Sequence, residues 1–203
     1  MRTGSETSWE VTFVDPADLF FALYVRDAAG LAGAEDFPCL DGPVPRWEPA
    51  PPWTPTRRDV AGRQWRAWWA ALLDHRPDDG NTPGIDGPDF RSSSATPALH
   101  EAQVALYHQA LRWQSVREAQ ARALGTGTTF TALRTMGVVP LVKELEARTG
   151  RPAGAFGYVV EVIPTRGKRY WDLGVEHLLI SDQLGMDLES LADVLRPRLA
   201  ALV

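Results

Sequence analysis

The stretch "QWRAWWAALL", residues 64–73, puts Trp65, Trp68 and Trp69 within five positions. It is either the aromatic face of a helix turned into a core or a clamp around a ligand. At about 100° per residue, Ala61, Trp65, Trp68, Trp69, Leu72 and Leu73 fall within an arc of about 140°. Arg63, Arg66, Ala67 and Ala70 take the other side. The spacing predicts an amphipathic helix near 57–74 whose tryptophans face inward. Each buried tryptophan removes up to ~250 Å² from water and leaves one indole N–H that needs an acceptor. The clamp alternative needs those rings to face a cleft.

Working outward, "SWEVTFVD" (8–15) alternates with the period of a half-buried strand. Asp15 offers an N-cap, Pro16 fits the first helical position and Gly30 a C-terminal stop, which predicts a helix over 16–29. A second strand through "FFALYV" is the alternative. Residues 32–56 are proline-rich and aperiodic, which predicts an extended surface segment pinned to the body by Phe37, Trp47 and Trp53. Residues 75–96 read as a second polar loop. The carboxylates Asp78, Asp79, Asp86 and Asp89 lack the EF-hand spacing and read as a solvated loop.

Thr96 and Pro97 open the longest predicted helix, 97–124, with the stripe Leu99, Ala102, Leu106, Ala110 and Trp113. Val104, Tyr107 and Leu111 broaden that stripe, which predicts a central helix with neighbours on two sides. "GTGTTF" (125–130) follows a helix and lacks the P-loop lysine, so it reads as a turn before a short helix through "FTALRTM". A further helix is expected over 138–149. The run 156–164 has strand composition, and Thr165, Arg166 and Gly167 suit a three-residue hairpin loop. That register sets Glu161 opposite Trp171 and diagonal to Arg169, with Tyr158, Val160, Val162 and Tyr170 on the other face. A third strand over 175–181 and a terminal helix over 187–202, kinked or divided at Pro197, complete the chain.

The fold expectation is therefore α+β: a helical bundle around a long central helix, with a small C-terminal antiparallel sheet and a terminal helix. The strand near 8–14 is expected at an edge of that sheet. Residues 1–203 are read as one domain with long loops at 32–56 and 75–96.

Composition narrows the function classes. Of 203 residues, 44% are hydrophobic and 23% charged, which is ordinary for a globular chain. The net charge of −5 and scattered arginines argue against a nucleic-acid binder, which needs a basic stripe. No apolar run reaches membrane-spanning length, and the N-terminus lacks the apolar core of a secretory signal. The expected location is cytoplasmic. Cys39 is the lone cysteine, so no intrachain disulfide forms, and no cysteine-protease signature surrounds it. Only Lys143 and Lys168 are lysines, and this arginine bias with abundant Ala, Gly and Pro suggests a GC-rich bacterial genome.

No serine-hydrolase elbow and no dinucleotide fingerprint is present. His75, His100, His108 and His177 lack zinc-ligand spacing, so no metal and no cofactor is expected. The segment "GKRYWDLGVEH" (167–177) gathers polar and aromatic groups on a ribbon. The residues so singled out for binding are Trp65, Trp68, Arg169, Trp171 and His177. Two readings follow. The first is a non-catalytic accessory or immunity-type protein whose partner is another protein. The second is a small-molecule binder or unrecognised enzyme with a pocket between the Trp-rich helix and the C-terminal sheet.

Overall fold

Glycines and prolines set most element ends where local chemistry requires them. In a computed structural model, residues 9–31, 37–74, 90, 95–123 and 137–203 are described. They form β1 (Glu10–Val14), α1 (Ala17–Ala29), α2 (Pro55–Asp74), α3 (Pro97–Ala123), α4 (Val139–Thr149), β2 (Gly157–Ile163), β3 (Tyr170–Gly174), β4 (His177–Ser181), α5 (Asp182–Gly185) and α6 (Leu188–Ala200). The protein is mixed α+β, and no described helix is long and apolar enough to cross a membrane. The loop carboxylates at 78–89, the glycine-rich turn at 125–130 and the short helix after it lie outside the described residues.

Two compact units emerge. One comprises residues 16–121 and 164–166; the other comprises 1–15, 122–163 and 167–203.

In the first, helical unit, "FFALYV" is helix and not strand. Gly30 ends α1 in the left-handed conformation at φ 60°, and the Leu31 amide donates to the Arg26 carbonyl at 3.0 Å. Pro16 lies one position outside the helix instead of opening it, and it is not capped by a side chain. Ala22, Leu23, Tyr24, Val25 and Ala28 are fully buried. A helix apolar around its whole circumference belongs at the middle of a core, so the central position expected for α3 falls to α1. The long helix buries a single stripe of Leu99, Ala102, Leu106 and Ala110. Val104 and Leu111, expected to widen it, are each 45% exposed.

The second unit holds a four-stranded sheet in the order β1-β2-β4-β3. The expected antiparallel sheet is corrected here: β1 and β2 run parallel, β2 and β4 run parallel, and only β3 pairs antiparallel, with β4. No hairpin joins 156–164 to 169–173 through 165–167. The hairpin is β3–β4, turning at Val175 and Glu176.

Burial supplies the reason. Tyr158, Val160 and Val162 are buried on one face of β2 while Glu161 and Ile163 are buried on the other. Burial on both faces is the pattern of a strand in a parallel sheet, whereas an antiparallel hairpin leaves one face to solvent. The alternating exposure of β3 suits a sheet edge, and β1 takes the opposite edge as expected. Tyr158, Val160, Val162, Leu178 and Ile180 pack with Leu141, Val142 and Leu145 of α4 and Leu191, Leu195 and Leu199 of α6. The last helix runs through Pro197 without division. Its first turn is capped by Asp187, which accepts from the Ser190 amide at 3.2 Å.

Candidate functional site

The two tryptophans of the candidate set on α2 are consumed by packing. Trp65 is 2% exposed, and its indole N–H donates to the Ala22 carbonyl at 2.6 Å. It stacks on Trp69 at 5.6 Å between centroids and meets the edge of Phe37 at 5.2 Å. The Arg26 guanidinium lies 5.4 Å from its ring centroid. Trp68 is buried and stands edge-on to Phe21 at 6.0 Å. All these partners belong to the helical unit, and none leaves a ring face for a ligand.

The other three candidates lie on or beside β3 and β4. Strand alternation puts Trp171 of β3 on the same side as His177 and Leu179 of β4 and Glu161 of β2, and Arg169 stands just ahead of β3, its carbonyl accepting from the Ser181 amide at 2.9 Å. Arg169 is exposed, while Trp171 and His177 are half-buried. The expected pairing of Glu161 with Trp171 and Arg169 does not occur, because β4 lies between those strands. Glu161 is instead in register with Val14 of β1 and Leu179 of β4. Its carboxylate lies 3.4 Å from His177 Nε2. That distance joins two largely buried groups without a well-formed hydrogen bond, and among the described residues Nε2 has no hydrogen-bond partner. Parallel pairing created this pair, and the hairpin register obscured it in the sequence.

On the opposite face, Arg198 of α6 makes two 2.7 Å hydrogen bonds to Asp172 and lies over the Tyr170 ring at 4.6 Å. Hydrogen bonding from Arg198 holds the Asp172 carboxyl below its ordinary range. Tyr158 is 1% exposed, and burial pushes its phenol up to about 12.

Sequence reasoning missed an open groove of about 550 Å³ in the helical unit. Pro51, Pro52 and Trp53 form one wall, and Val60, Pro97 and Ala98 line it from the starts of α2 and α3. Arg57 and Glu101 stand at its rim as an ion pair. Glu101 Oε1 also accepts from the indole N–H of Trp53 at 3.1 Å, while the Arg57 guanidinium lies 5.7 Å from the Trp53 ring. Trp47 meets Trp53 edge-on at 5.0 Å. Pinning of the proline-rich segment by Phe37, Trp47 and Trp53 was legible. The helix starts that complete the groove were not, because nothing local in the sequence brings Pro97 beside Pro52.

Among the described residues, no group of three or more His, Cys, Asp or Glu side chains is placed to hold a metal ion. No family model, curated protein or solved structure matches the chain.

Proposed function

We propose that the chain is a non-catalytic, cytoplasmic interaction protein of a GC-rich bacterium, of accessory or immunity type, and that the groove along residues 51–60 and 97–101 receives its protein partner. The observation that carries this reading is the chemistry of the groove. Its walls are proline, alanine, valine and tryptophan with two threonines, Thr54 and Thr56, and its two rim charges neutralise each other. A charged metabolite gains little from such a rim, because its charge loses water without gaining an opposite one. An apolar side chain on a protein surface loses nothing of the kind, and proline rings lose almost no side-chain entropy when they are covered.

The test uses the whole protein as bait in a lysate of its native host, beside a Val60→Glu bait of unchanged melting temperature. Wild type is expected to retain a defined partner that the variant loses. Equal retention by both, or no stable partner for either, overturns the proposal.

The Glu161–His177 pair supports a second reading, a small-molecule binder or unrecognised enzyme. There His177 serves as the acid–base group, Glu161 orients it, and Trp171 and Arg169 flank the substrate. A metabolite that raises the melting temperature of wild type but not of His177→Gln favours this reading over the first.

A further inference from the structure

Residues 42–53 contain neither helix nor strand. Pro43, Pro45, Pro49, Pro51 and Pro52 remove donors along this stretch. Among the described residues, one backbone hydrogen bond ties it to the rest of its unit, from the Trp47 amide to the Ala28 carbonyl at 2.8 Å. Two side-chain bonds add to it. The Trp113 indole donates to the Pro43 carbonyl at 2.9 Å, and the Trp53 indole donates to Glu101.

We propose that residues 42–53 form a strap that opens and closes the groove, with the Glu101 carboxylate of α3 as its clasp. The strap supplies one wall of the groove, whereas α2 and α3 supply the other, so its displacement widens the opening. One carboxylate holds three elements together: Oε1 takes the strap's Trp53, Oε2 takes Arg57 of α2, and the side chain itself stands on α3. Trp53 is 7% exposed, so its N–H needs that acceptor. A buried donor left without one is penalised, and the penalty vanishes once the indole reaches water. Segments with few backbone hydrogen bonds open at low free energy, and proline keeps the released segment extended. The inference relies on the groove reading only for what enters. The motion is measured without any partner.

The test is limited trypsin digestion of the full chain. Arg46 lies within the strap, and Arg63 lies midway along α2 as an internal reference. Glu101→Ala is expected to be cut after Arg46 about tenfold faster than wild type, with cutting after Arg63 unchanged, because cleavage follows the population of the open form. Glu101→Gln keeps an acceptor for Trp53 but loses the charge, and it falls between the two. Equal cutting after Arg46 in all three proteins overturns the proposal. So does a parallel rise at Arg63, which reports loosening of the helices themselves. A strap that stays shut leaves the groove reading standing, and a bait that captures nothing leaves the digestion result unaffected.

Discussion

At position 65 the aromatic side chain touches two rings, a guanidinium and a backbone carbonyl, and each contact lies inside the helical unit. Trp65→Ala is expected to lower unfolding stability by about 3–5 kcal/mol in urea titration. A ring held open for a ligand would produce a far smaller loss. Gln103 presents the reverse case. It occupies the inward seam of α3, four residues after Leu99 and three before Leu106, fully buried and with no hydrogen-bond partner for either amide atom among the described residues. Gln103→Leu is expected to raise stability by about 1 kcal/mol, since it removes an unsatisfied polar group at similar volume. The Tyr158 hydroxyl is likewise buried without a hydrogen-bond partner among the described residues. Tyr158→Phe is expected to leave neutral-pH stability unchanged or slightly raised. Between its ordinary value of 10.0 and its folded value of about 12, the unfolded chain releases the proton that the fold retains. Stability therefore falls as pH rises through that window, and the Phe variant lacks this component of the decline in an alkaline melting series.

Among the elements, the packing of α6 against β3 is sensitive to acid. Asp172 is held below its ordinary value of 3.8 by the two hydrogen bonds from Arg198. A depressed carboxyl stabilises the fold above the unfolded value, and the contribution drains away as pH falls through the folded one. Asp187 acts in the same direction, held down by Lys168 and by its cap to Ser190. Asp172→Asn is expected to flatten the decline in melting temperature below about pH 4, while wild type continues to fall. The partner of α6 was not legible in advance. Leu191, Leu195 and Leu199 marked its inward stripe, but Arg198 and Asp172 are far apart in sequence, and nothing local pairs them.

Across the whole molecule, the strongest protection from exchange belongs where burial surrounds an element. Hydrogen exchange is expected to be slowest at the amides of α1 and β2 and fastest along residues 42–53, where, among the described residues, one backbone bond holds the strap. Comparable protection of the strap and α1 would contradict both the central place of α1 and the clasp. The sequence by itself determined the type and extent of most elements, though it left α1 open between helix and strand and gave no sign of α5. Periodicity, caps and stop glycines placed α2, α3 and α4 within a few residues, and alternation marked β1 and β2, because these signals act within one or two turns of chain. Inward orientation of the α2 tryptophans was legible for the same reason. Tertiary structure alone decided that β2 runs parallel to β4, that His177 therefore meets Glu161, that α1 displaces α3 from the centre, and that Pro97 closes a groove with Pro52. Each is a choice among partners distant in the chain. Local chemistry leaves those partners equivalent, and the burial available to each element in the assembled unit separates them.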